Sequence, residues 1–92
     1  MILNIKHKGL RKLHEDGAIK GVEVIYAKKM RRILRALEIA QRPENMDLPG
    51  YKLHALTGDM RGMWSVTVSA NWRIVFRYDG KDVYDVDLID YH

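Results

Sequence analysis

The second half of this 92-residue chain carries His54, Asn71, Arg73, Asp90, Tyr91 and His92. The imidazoles, carboxylates and phenol can move protons, the amide can orient a substrate, and the guanidinium is shaped to hold a phosphate. Such a set suits phosphodiester transesterification in RNA. That reaction needs a base for the 2′-hydroxyl proton, a cation for the phosphorane charge, and an acid for the departing 5′-oxygen. There is no cysteine, so disulfides, thiolate metal sites and a cysteine nucleophile are excluded. His7 and His14 stand seven apart without carboxylate ligands in register, and neither a metal nor another cofactor is expected.

These groups can act together only if regular elements bring them together. Early in the chain, "ILNI" predicts a short strand, and "KHKGLRKLHEDG" predicts a short helix with Leu10 and Leu13 on one side and Gly17 as its stop. A longer helix is predicted over "VEVIYAKKMRRILRALEIAQ", where Val22, Tyr26, Met30, Ile33, Leu37 and Ala40 recur at steps of three and four. "RPENMDLPG" is punctuation, and after it the period changes to two. "YKLHAL" predicts a strand. "GMWSVTVSA" sets Trp64, Val66 and Val68 against Ser65, Thr67 and Ser69. "WRIVFRY" sets Trp72, Ile74, Phe76 and Tyr78 against Arg73, Val75 and Arg77. Asp79-Gly80 signals a two-residue hairpin, and "DVYDVDLID" predicts a last strand with Tyr84, Val86 and Leu88 on its apolar side. The expected order is β-α-α-β-β-β-β: one α+β domain over residues 1–92, with two helices on one face of a small, mostly antiparallel sheet. His54, Asn71, Arg73 and Asp90–His92 then fall near strand ends that can converge.

Charge is unevenly spread. Residues 1–42 hold eleven Lys and Arg against four Asp and Glu, a balance of +7, whereas residues 43–92 hold five against eight, a balance of −3. A basic front half suits a partner made of phosphates, and Lys28, Lys29, Arg31 and Arg32 of the long helix are candidate RNA contacts. A solvated helix face would look the same from charge alone. No apolar run is long enough to span a bilayer, and the start lacks the order of a secretory signal, so no membrane association and a cytoplasmic location are expected.

Each chemical reading has a plainer rival. His54 taken alone is more often a structural histidine than a catalyst. Arg73 could pair with Asp85 or Asp87 across the strands, a common and weak arrangement. Trp64 and Trp72 could stack on bases, but their phase with Val66 and Ile74 assigns them to the core.

The order and spacing of several motifs resolve some of these choices. "YKLHALTGDMRGMWSVTVSANWRIVF", "DVYDVDLIDYH" and the early "HKGL" closely resemble the HigB toxins, a branch of the RelE/ParE superfamily of bacterial type II toxin–antitoxin systems. The resemblance covers nearly the whole chain and is densest from Leu48 to His92. It implies a ribosome-dependent messenger-RNA endonuclease that cuts the codon in the ribosomal A site, beside 16S rRNA. It also implies a HigA-type helix-turn-helix antitoxin as partner, with operator DNA bound only through the antitoxin complex. By the same resemblance, His54, Arg73, Asp90, Tyr91 and His92 are the catalytic residues, with Arg73 as phosphate stabiliser, and Asn71 contacts RNA. Thr57 departs from the pattern, standing where well-studied members carry Lys; it keeps a hydroxyl for RNA but loses a cation. Two other roles remain open: a non-enzymatic, ParE-like inhibitor of gyrase, and an inactive toxin that serves as co-repressor with its antitoxin.

Overall fold

The computed structural model describes residues 1–90, so Tyr91 and His92 lie outside the described residues. Two helices, α1 (Lys8–Asp16) and α2 (Val24–Ile39), precede four strands, β1 (His54–Ala55), β2 (Trp64–Thr67), β3 (Trp72–Asp79) and β4 (Asp82–Asp90). The strands form one sheet in the order β1-β2-β3-β4, with every neighbouring pair antiparallel. Short 3-10 turns at Pro43–Met46 and Gly58–Met60 complete the connections. No described helix is long and apolar enough to cross a membrane.

Local signals account for the helix ends. The His7 Nδ1 accepts the Leu10 N–H at 3.1 Å and caps α1. At the other end Gly17 adopts φ 71°, and its N–H reaches the Leu13 carbonyl, a left-handed stop that suits glycine. In α2 the buried positions are Ala27, Met30, Ile33, Leu34 and Leu37. At 100° per residue they fill one side, and Lys28, Arg31, Arg32 and Arg35 fall on the opposite one. The expected apolar stripe starts two residues too early: Val22 precedes the helix, which begins at Val24. Tyr26 packs only partly against the core.

The helices cover the side of the sheet that presents Val66, Ile74, Phe76, Val83 and Val86, and these residues share one core with Leu10, Leu13, Met30, Ile33 and Leu37. Burying that many apolar side chains is the dominant stabilising term for a domain of this size. Polar ties fix the helix layer to the start of the chain. Glu38 of α2 accepts the Ile2 N–H at 2.8 Å, and its other oxygen lies 3.1 Å from the His14 Nε2 of α1. Burial alone would raise the Glu38 pKa, but the Ile2 N–H and the His14 imidazole outweigh it and hold the carboxyl below its ordinary value.

Four expectations are corrected. The "ILNI" segment forms no ladder. It makes two isolated parallel bridges to β4, Ile2 with Val83 and Ile5 with Val86, backed by the Leu3 and Lys6 N–H groups donating to Val83 and Val86 carbonyls. The "YKLHAL" strand shrinks to His54–Ala55, because Lys52 adopts φ 49° and breaks the extended run. Tyr84 does not share the inner side with Val86 and Leu88. A register shift between Val75 and Arg77 inserts a bulge into β4, with Asp85 at φ 54°, so Val83 and Val86 both enter the core. Asn4 stabilises that bulge: its Oδ1 accepts the Asp85 N–H at 2.9 Å, and its Nδ2 donates to Asp85 Oδ1 at 3.2 Å. Finally, the two-residue turn falls one place later than Asp79-Gly80: Asp79 pairs with Asp82 in the ladder, which leaves Gly80, at φ 62°, and Lys81 as the turn residues. On the side of the sheet away from the helices, Ser65 and Val75 are only 3% and 1% exposed.

Candidate functional site

Strand register defines the outer face. Residues directly opposite in an antiparallel pair project to the same side. The pairs His54↔Ser65, Ser65↔Val75 and Val75↔Asp87 make one row across all four strands. The neighbouring row is Thr67↔Arg73↔Ile89. His54 and Arg73 therefore share the outer face, on strands separated by β2, so about 10 Å of sheet lies between them. Arg77 occupies the same face two positions beyond Val75. His54 thus stands in the row of Val75, two strands from both arginines.

Backbone contacts hold Arg73. Its Nη1 donates to the Ser69 carbonyl at 2.8 Å, back across the β2–β3 turn. The turn itself is closed by Trp72 N–H donating to Ser69 Oγ at 3.2 Å and by Val68 N–H donating to the Trp72 carbonyl at 2.9 Å. Asn71 sits exposed on this turn, two residues before Arg73. Asp85 pairs with Arg77, whose Nε lies 3.7 Å from its Oδ2. The Asp87 carboxylate accepts the Leu88 N–H at 2.9 Å.

Other predicted residues lie apart from this centre. Thr57 is exposed and begins the 3-10 turn Gly58–Met60. The chain then returns through Gly62, where a Cβ would come within 3.0 Å of Arg77 Nη1. Thr57 therefore belongs to the Arg77 end of the outer face, and the cations nearest in the chain are Arg61 and Lys52. Asp90 pairs with Trp72. Its phase in the strand is that of Leu88 and Ile74. Tyr91 and His92 follow it, outside the described residues.

The basic face of α2 is on the far side of the molecule. Lys28, Arg31 and Arg32 are exposed there, while Lys29 is half-buried with its ammonium 6.0 Å from the centre of the Tyr51 ring. Helix, core and sheet separate this face from Arg73 in a molecule with extents of 30 × 29 × 25 Å. Sequence reasoning did not foresee that His54 shares the row of Val75, two strands from Arg73 and Arg77, because that follows from strand register alone. Nor did it find the cleft beside His7, whose members are scattered over residues 7–30 and the sheet; the early "HKGL" was its nearest signal.

Comparisons with known proteins agree with this architecture. A family model described as a RelE-like toxin of type II toxin–antitoxin system HigB matches residues 3–92. The Endoribonuclease HigB of Proteus vulgaris is 41% identical over 92 residues, covering all of both chains. Among solved structures, a single-substitution mutant of YafQ from E. coli is similar, with TM-score 0.57 at 20% identity over 95% of this chain and 91% of that one. A YoeB/ParE toxin from Agrobacterium tumefaciens has TM-score 0.55 at 23% identity, over 77% of this chain and 78% of that one. At those identities the two structures speak to the fold alone.

Proposed function

The chain belongs to the HigB-like family of RelE-type toxins of type II toxin–antitoxin systems, and from that premise we propose that it is an endoribonuclease that cuts messenger RNA on the ribosome. Membership of such a system implies an antitoxin partner. We assign that partner to the HigA helix-turn-helix type, through which alone the toxin would reach operator DNA.

The observation that carries the reading is the register that puts His54, Arg73 and Arg77 on one face of the sheet, with His54 two strands away in the row of Val75. An imidazole and two guanidiniums spread over one face of the sheet suit a stretch of RNA backbone, and Arg73, held by Ser69, is pre-oriented for the scissile phosphate. In the proposed reaction the 2′-oxygen attacks phosphorus, the P–O5′ bond breaks, and the 5′-oxygen takes a proton. The products are a 2′,3′-cyclic phosphate and a 5′-hydroxyl. His54, Asp90, Tyr91 and His92 share the proton transfers as one coupled set. Asn71, beside Arg73, orients the substrate, and Thr57 offers a hydroxyl at the Arg77 end. Because α2 turns its cations away from the sheet, Lys28, Arg31 and Arg32, with Lys29 at their margin, would hold 16S rRNA phosphates while the opposite face holds the codon.

The test is expression without the antitoxin. Growth arrest is expected with messenger cuts at codon spacing and 5′-hydroxyl ends, insensitive to chelators and abolished by Arg73→Ala. Removing Tyr91 and His92 should leave the fold intact and cleavage lost. Arrest with DNA breaks would instead indicate a gyrase inhibitor, and no arrest would indicate a co-repressor.

A further inference from the structure

A second cleft opens on the helix side of the sheet, away from His54 and Arg73. Two adjoining cavities of about 310 and 440 Å³ share His7, Lys20 and Gly21. One side carries Lys8 and Lys12; the other is walled by the indole of Trp72. Among the described residues, Glu23 is the one carboxylate lining either cavity, against three lysines, so the cleft has an excess of positive charge. Its floor is rigid. Gly9 and Gly21 meet backbone to backbone, and a Cβ on Gly9 would collide with the Gly21 carbonyl. His7 contributes a donor as well, because its Nδ1 is occupied in accepting the Leu10 N–H, which leaves the ring proton on Nε2.

Trp72 joins this cleft to the outer face. It precedes Arg73 in β3 and projects to the opposite side, at the end of the sheet where Asp90 lies across from it. We infer that the cleft binds one nucleotide of single-stranded RNA next to the cut: its base lies against Trp72 and its phosphate lies among Lys8, Lys12, Lys20 and the His7 ring. The inference rests on the endoribonuclease reading and extends it. The substrate strand turns around the end of β3 and β4, so recognition reaches beyond the codon face. An aromatic wall with lysines on one side and a polar donor at hand is what sequence-tolerant binding of a nucleotide uses. Trp72 thereby has a role besides its packing on the core.

The experiment titrates the full chain with 2′-O-methyl hexaadenylate, which lacks the attacking hydroxyl, and follows NMR signals of His7, Gly21 and the two indoles. All but the Trp64 indole should move. The double variant Lys12→Gln/Lys20→Gln should bind on the order of tenfold more weakly at 0.1 M salt, with the slope of log K against log salt reduced by about 1.4. Trp72→Phe, which keeps an aromatic wall, should retain most of the binding. Shifts confined to the His54 and Arg73 face would overturn the inference. So would equal shifts on adding inorganic phosphate alone, or tighter binding of hexaglutamate than of the oligonucleotide, which would make the cleft a protein-docking site. The two readings fail separately. A chain that takes the oligonucleotide in this cleft but cuts no message refutes the endoribonuclease reading, and one that cuts with a silent cleft refutes this one.

Discussion

The two faces of β3 bury their central residues equally and differ in what flanks them. Toward the helices, Ile74 and Phe76 are enclosed and Trp72 is half-buried; outward, Val75 is as enclosed as they are, but Arg73 and Arg77 on either side keep contact with solvent. The difference teaches how a small domain can host charge without loosening. The guanidiniums stand on a strand locked from both sides, so their positions are set by packing they do not themselves supply. Core packing and charge are separated by the single-residue alternation of one strand.

Substitutions can break or sharpen that contrast. The largest effect is expected on the inner face. Phe76→Ala empties the centre of the core and should cost about 3–5 kcal/mol, enough to threaten folding of so small a domain, as read by urea denaturation. On the outer face, Arg73→Ala should lower the cleavage rate about 10²–10³-fold. Its denaturation midpoint should stay near that of the native chain; a collapse in stability would show that the faces are not independent. A milder change tests the Arg77 end. Thr57→Lys adds a cation beside the proposed RNA path and should raise cleavage by up to about tenfold, visible in single-turnover assays on programmed ribosomes. The smallest effect belongs to the helix layer. Because the Glu38 pKa is depressed on folding, its stabilisation is present above its ordinary value of 4.5 and is lost as pH falls through the lower folded value. Glu38→Gln should therefore flatten the acid limb of the stability curve by under about 1 kcal/mol, given the exposure of the pair, and leave neutral-pH cleavage unchanged.

Much of this was legible in the sequence, for definite reasons. The α2 cations and core stripe follow from a 3.6 period, and the β2 and β3 faces from a period of two, so both helices and the central strands fell where expected. Local chemistry also placed the Gly17 stop and the β3–β4 hairpin, although its two turn residues are Gly80 and Lys81 rather than Asp79 and Gly80. What escaped depends on long-range pairing. The bulge at Asp85 left a trace in the three-residue step from Val83 to Val86, but its partner Asn4 is 81 positions away. Two-residue β1 has too little length for a pattern. The site was legible as a set of residue types, and the family resemblance turned that set into an expectation. The register that places His54 in the row of Val75, and Asp90 across from Trp72, had to come from the fold.

The bridges of Ile2 and Ile5 to β4 have a consequence for the order of synthesis. A growing chain makes its helices first, and these can coil locally within microseconds. The first five residues, however, cannot pair until the ribosome has translated Val83 and Val86. Asn4 likewise waits for Asp85. Until then the apolar sides of α1 and α2 lack the sheet they cover, and the strand that ends at Asp90 does not exist. A product cut short before β4 would have neither a closed core nor the strand that carries Asp90.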